Sequence, residues 1–406
     1  PSLQRPRRQR SRCRSTLPAM DFDGAIWLLL GLPLAFGLGW LASRFEQHQA
    51  AGEGADAPRA YYRGLSLLLS EQQDKAIDAF IEAVQKDPDT IDLHFALGGL
   101  FRRRGEFERA VRVHEHLLRR ADLRPADRDR ARHALAQDFF KAGLFDRAEA
   151  AFKDLQGSAF DTEALAARLS LHERSRDWQA AMAIGEQLES RGAGSYARRL
   201  SHYACERALE AETRGDAAQA QQCLEHAQQL APDAPRPRVL AAQRWIRLGR
   251  HDQALQVLDD LMRRQPEAFA LVAGDYATCA IACGRQAMAR LALSRLAAAH
   301  TSIEVLRAIA QLGDGSQDRL ALDAQLLQTL KDRPSLALAQ MALERLDDPE
   351  KAPSTNAEIQ RALNQVAAPM RRYRCAACGF EARQHFWQCP GCLGWDTYPP
   401  RRIEEA

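Results

Sequence analysis

From about residue 60 onward, apolar and small residues recur with helical spacing, and the pattern itself repeats. Gly64, Ala76, Phe80, Ala83 and Pro88 are matched 34 residues later by Gly98, Ala110, His114, Leu117 and Asp122. Pro232 and Pro266 keep the same interval, as do Ala220 and Ala254, and Pro334 lies two periods beyond Pro266. Units centred on Ala148 with Phe152, and on Ala181 just after Trp178, fit with short insertions. A period of this size describes paired helices that cannot bury their apolar faces alone and stack on their neighbours to do so. Gly105, Gly143, Gly215 and Gly249 fall where each pair must turn.

A different pattern precedes the repeats. Ala25 to Ala42 is an uncharged apolar run of 18 residues, long enough as a helix (about 27 Å) to cross a bilayer core. Trp27 and Trp40 stand near its ends, where interfacial aromatics belong. Gly31, Ala35 and Gly39 share one helix face and are expected to meet a partner transmembrane helix. If translation starts at Met20, acidic Asp21 and Asp23 before the run and Arg44, Arg59 and Arg63 after it predict that the bulk of the chain faces the cytoplasm, and a retained arginine head would predict the reverse. Six arginines (5, 7, 8, 10, 12 and 14) crowd the first 19 residues and account for the formal charge of +3. Met20 is the expected translation start, which makes residues 1–19 a non-native or upstream-translated head. Without that head no global basic field draws the protein to nucleic acid.

The repeats resemble the tetratricopeptide type. That resemblance implies a mainly α protein, an α-solenoid of roughly eight or nine units between Ala60 and Val366 with a concave inner face. The first helix of each pair lines that face, which nominates Phe95, Arg102, Arg130, His133, Gln137, Phe140, His202, Glu212, Arg236 and Gln243 as partner-gripping residues. The alternative for each is a solvated helix face. Cys205, Cys223, Cys279 and Cys283 lie within repeat helices and read as packing residues.

At the C-terminal end two CxxC pairs, Cys375/Cys378 and Cys389/Cys392, are separated by ten residues. Such turns aim both sulfurs at one point, and two of them make a tetrahedral cage for one zinc or iron ion. A segment this small needs the metal as its core. A disulfide pair or a thiol redox site is the alternative. The stretch resembles a rubredoxin-type knuckle pair, although Leu393 stands where a glycine usually follows the last cysteine. Phe380, Phe386, Trp387 and Trp395 are more aromatic surface than the module can bury, so some of them are expected to pack on the repeats. Arginines around the knuckles keep a zinc-ribbon nucleic-acid binder in view, but Glu381, Glu404 and Glu405 interleave with them. No Gly-rich phosphate loop, nucleophile elbow or HExxH occurs, so an enzyme is not expected.

The domains read as a head (1–19), a transmembrane anchor (20–45), a linker (46–58), the repeat solenoid (59–368) and a rubredoxin-like module (369–406). In that order, and with Trp387 and Trp395 about the second knuckle, the chain resembles the lipopolysaccharide assembly protein B family. The resemblance implies an inner-membrane adaptor that regulates lipopolysaccharide biosynthesis. It would present the lipid A deacetylase LpxC to the membrane AAA protease FtsH, meet lipopolysaccharide assembly or regulatory membrane proteins, and carry the family's metal on Cys375, Cys378, Cys389 and Cys392. An electron-transfer protein, or a repeat scaffold for another membrane complex, is the competing expectation.

Overall fold

The computed structural model describes residues 72–300, 302–313, 316–332, 334–346, 363–367 and 369–405, with isolated positions between 36 and 70. Among the described residues no helix is long and apolar enough to cross a membrane. The expected anchor, with Gly31, Ala35 and Gly39, lies outside them apart from Phe36, Leu38 and Trp40, which are helical and exposed. The head and the linker lie outside them as well.

Two compact units divide at Asp154 and Leu155. The first holds α1 (Gln73–Lys86), α2 (Ile91–Arg104), α3 (Phe107–Arg119), α4 (Pro125–Lys141) and α5 (Phe145–Lys153). The second begins with three hairpins: α6 (Asp161–Ser175) with α7 (Trp178–Ser190), α8 (Ala197–Thr213) with α9 (Ala217–Leu230), and α10 (Pro235–Arg247) with α11 (His251–Arg264). A short α12 (Pro266–Phe269) runs through a 3-10 turn into α13 (Ala273–Ala282), which pairs with α14 (Gln286–Ala299). Then come α15 (Ile303–Gln311), α16 (Ser316–Asp332), α17 (Leu336–Leu346) and a two-stranded ribbon, β1 (Tyr373–Arg374) with β2 (Glu381–Ala382).

The hairpins share one set of local instructions. Gly105, Gly143, Gly215, Gly249 and Gly284 each take a positive φ just past the first helix of a pair. The residue after each glycine donates its amide five residues back, as in Glu106 N to Phe101 O at 2.8 Å and Arg285 N to Ala280 O at 2.8 Å. This closure satisfies carbonyls the helix would otherwise orphan. Arg176 occupies the same place in the α6–α7 turn with φ 58°, and Asp177 N reaches His172 O at 2.9 Å. Five residues beyond each turn position stands an alanine: Ala110, Ala148, Ala181, Ala220 and Ala254 are fully buried and Ala289 is nearly so. A methyl group there lets the two helices cross closely, and the larger apolar residues a turn or two further on fill the space around it. Gly98 serves the same end in the preceding helix, because a Cβ on it would lie 2.5 Å from the His114 ring.

Proline opens α4, α10 and α12 at a position where its missing N–H costs nothing. Asp177 and Asp216 cap α7 and α9 by accepting from the amides of Ala180 and Gln219. In the second unit one core runs from Leu165 to Ala227 and another from Val239 to Met341, and the cysteine module reaches both through Trp395 and Trp387 respectively.

Candidate metal centre and its clasp on the repeats

The two knuckles are the same turn used twice, offset by 14 residues. Cys375 N donates to Phe380 O at 2.9 Å and Cys389 N to Gly394 O at 2.8 Å, while Gly379 N reaches Cys375 O and Leu393 N reaches Cys389 O at 2.9 and 2.8 Å. The flanking pairs repeat too, since Arg374 faces Glu381 and Gln388 faces Trp395 in antiparallel register. Gly379 and Leu393 both stand in the left-handed region, with φ 75° and 59°. At Leu393 the side chain bears a strain that glycine would avoid.

The four sulfurs of Cys375, Cys378, Cys389 and Cys392 lie within 4.8 Å of one another. Across the site Cys375 Sγ is 3.9 Å from Cys392 Sγ and Cys378 Sγ is 3.6 Å from Cys389 Sγ. A tetrahedron with metal–sulfur bonds near 2.3 Å has edges of about 3.8 Å, so the cage fits one zinc or iron ion. The Gly391 amide approaches Cys389 Sγ at 3.3 Å, as expected for a thiolate-stabilising turn. Burial opposes a thiolate at Cys375, but the Thr397 hydroxyl and the amides of Cys378 and Ala377 override it and bring its pKa to about 6. Tyr373, Cys375, Cys389 and Tyr398 form the module's small buried core, and Cys378 and Cys392 face outward.

Trp395 is the point where this module meets the repeats. Its indole N–H donates to Glu173 Oε1 at 2.9 Å. Its ring stacks on His202 at 4.7 Å and 16°, and stands edge-on to Trp178 and Tyr203 at 6.0 and 6.1 Å. The Arg236 guanidinium sits over it at 5.5 Å. Glu173 is nearly buried, and its charge is met by Arg199 at 3.2 and 2.8 Å and by the Tyr203 hydroxyl at 2.6 Å. Burial and the neighbouring Glu173 push the Tyr203 phenol well above its ordinary pKa, which keeps it a donor. Beside Trp395, Asp396 Oδ2 lies 2.9 Å from His202 Nε2. Burial opposes the Asp396 charge, yet His202, Arg198 and Arg236 hold its pKa below the usual carboxylate value.

A second clasp closes further along the chain. Glu405 Oε1 accepts from Ile303 N at 2.9 Å at the start of α15, and Glu404 Oε2 accepts from Ala337 N at 3.3 Å at the start of α17. Carboxylates at those ends also meet the positive pole of each helix dipole. Arg402 bridges the two parts, pairing with Glu304 at 2.7 Å and donating to the Arg371 carbonyl at 3.2 Å.

Among the aromatics expected to pack on repeats, Trp395 and Trp387 do, and Phe386 lies with Leu271, whereas Phe380 is 44% exposed. The ten residues nominated for a groove divide between the two units. His202 and Arg236 are buried and turned to the cysteine module, so the chain's own terminus occupies that stretch of helix face. Glu212 pairs with Arg247 and Arg244, and Gln243 bonds Asp275. In the first unit Arg130 covers Phe95 at 4.0 Å, Arg102 pairs with Asp138 at 2.8 Å, Gln137 contacts His133 at 3.3 Å and Phe140 packs near Phe145. Cys205 and Cys279 are fully buried, and burial pushes their thiols up to about 12 and about 11, as befits packing residues.

Sequence reasoning missed Glu173, Arg199, Glu404 and Glu405. A buried acid in a repeat helix has no signature until its partners are known, and these lie far along the chain.

The family described as rubredoxin metal binding domain matches residues 373–400, and the family described as tetratricopeptide repeat matches residues 213–274. Lipopolysaccharide assembly protein B of Escherichia coli (strain K12) is 29% identical over 383 residues, which is 92% of this chain and 98% of that protein. The protein of the same name from Haemophilus influenzae is 28% identical over 397 residues, covering 93% and 98%. A tetratricopeptide repeat protein from Parabacteroides merdae superposes with a TM-score of 0.33 at 14% identity, over 63% of this chain and 98% of that one, too distantly to argue from.

Proposed function

From the premise that the chain resembles the lipopolysaccharide assembly protein B family over nearly its whole length, in its repeats and in its terminal cysteine module alike, we propose that it regulates lipopolysaccharide assembly as a non-enzymatic adaptor. The adaptor is anchored in the inner membrane by residues 20–45, with its bulk facing the cytoplasm. It presents a lipid A deacetylase of the LpxC type to a membrane AAA protease of the FtsH type. Tethering a client beside a membrane protease turns a bimolecular encounter into a local one, so the protein needs surfaces and geometry rather than reactive groups.

The observation that carries this reading is the seat of Trp395 in the repeat helices, donating to Glu173. It makes the metal module a fixed part of a scaffold. The test is the lifetime of the deacetylase in cells supplied with the full chain or with a chain lacking residues 20–44. The truncated chain is expected to stay folded and to lengthen the client's half-life severalfold. An unchanged half-life overturns the need for tethering.

The outward position of Cys378 and Cys392 favours a second reading, electron transfer through an iron-loaded cage. Purified protein that is coloured and reversibly reducible supports it, and colourless zinc-loaded protein that still promotes turnover removes it.

A further inference from the structure

The turn at Arg176 breaks the rule its neighbours keep. Five sister turns place glycine in the left-handed conformation, whereas here an arginine takes φ 58°. Non-glycine residues in such strained positions tend to persist where the side chain has a task. Arg176 borders a cavity of about 350 Å3, lined also by Arg207 and Arg214, with Gln179, Gln219 and Trp178.

None of these three arginines pairs with a carboxylate among the described residues. Among the described residues the Arg207 guanidinium reaches Met182 Sδ at 3.6 Å and that of Arg214 the Gln219 side-chain oxygen at 3.2 Å. Nearby Arg191, Arg199, Arg236 and Arg247 are each matched to an acid. Two acids also line the cavity. Asp177 is spent on the amide of Ala180 and on His172, and Glu210, which is exposed, forms no ion pair with the three arginines among the described residues.

We propose that this cavity binds the phosphate monoester of a small hydroxylated molecule. Guanidinium groups converge on phosphate oxygens with matched fork geometry, and the two glutamine amides suit the hydroxyls of the carrier. The cavity is of a size to hold one such group rather than a nucleic-acid backbone. The site does not depend on the adaptor reading. It lies beside the ring of Trp178, which also touches Trp395, so a bound ligand would adjoin the clasp on the metal module.

The test is calorimetry on the full chain in detergent, with glucose 6-phosphate, inorganic phosphate and glucose at matched ionic strength. Both phosphates are expected to bind saturably, the sugar phosphate more tightly, and glucose not at all. Arg207→Gln should weaken binding about tenfold, and Glu210→Gln should strengthen it. Arg176→Gly should weaken binding while raising the melting temperature by about 2 °C, because strain is relieved as a contact is lost. Vesicles carrying phosphatidate that displace glucose 6-phosphate would identify a lipid headgroup as the source, and failure to displace it a soluble phosphate. Absence of saturable binding up to ~10 mM, binding unaltered in the folded Arg176→Gly/Arg207→Gln/Arg214→Gln chain, or equal displacement by a single-stranded oligonucleotide would overturn the proposal.

Discussion

Trp395 and Glu173 are 222 positions apart in the chain, yet the indole N–H of one donates to the carboxylate of the other at 2.9 Å. Because Glu173 keeps Arg199 and Tyr203 when the indole is removed, the two ways of altering Trp395 should separate. Trp395→Phe loses one charge-assisted bond and is expected to cost about 1–2 kcal/mol. Trp395→Ala also strips the ring from His202, Trp178 and Tyr203 and should cost roughly 2–4 kcal/mol, somewhat below a fully buried indole. Denaturant unfolding measures both, and limited proteolysis should show residues 369–406 released first in the alanine variant.

The knuckles offer a matched pair of backbone tests. Gly379→Ala places a Cβ in open space but at φ 75°, so it should cost about 1 kcal/mol from conformation alone. Leu393→Gly removes the same kind of strain and should gain up to about 1 kcal/mol, less what the half-buried leucine contributes. Thermal unfolding of the metal-loaded chain at constant free zinc reads both signs.

Cys389 is fully buried within the cage. Cys389→Ser is expected to drop the metal from one per chain to none, counted by elemental analysis, and to make the terminal module protease-sensitive while the helical signal of the repeats persists. Full metal content with unchanged resistance would contradict a cage of four thiolates.

These expectations divide by how far apart in the chain their causes lie. Local signals were legible: the glycine turns, the alanines five residues later and the paired CxxC turns each specify a structure within one repeat or one knuckle. Arg176 escaped because an arginine carries no turn signature, and only the shared backbone geometry reveals its place. His202 and Arg236 were nominated to grip a separate partner, whereas in the fold they hold something of the chain's own. That the something is Trp395 depends on how a distant module folds back, which no periodicity encodes. Glu404 and Glu405 looked like charges that dilute a basic patch, and in the fold they cap helices 67 and 102 residues earlier.

His385 should give the clasp a pH response. Burial lowers its pKa below 6.5, with the Tyr398 carbonyl offsetting only part of the effect. A histidine held neutral in the folded state resists the proton its unfolded form accepts, so stability is flat above about pH 6.5 and falls below it, by at most about 1.4 kcal/mol per pH unit. His385→Gln should flatten that slope in unfolding curves recorded at constant free zinc between pH 5.5 and 7.5.

Replacing Glu405 and Glu404 with glutamine removes a charge from the starts of α15 and α17. A loss of about 0.5–1 kcal/mol each is expected, and a smaller one at high salt. Hydrogen exchange should place it at the first turns of those helices.

Trp395 stands three residues from Cys392, on the arm of the second knuckle that faces the repeats. Metal retention and docking therefore form a thermodynamic cycle, and a cycle is reciprocal: any factor by which the ion tightens docking is the factor by which docking tightens the ion. The repeats thus act as a remote component of the coordination sphere. A chelator would compete, in effect, with Glu173.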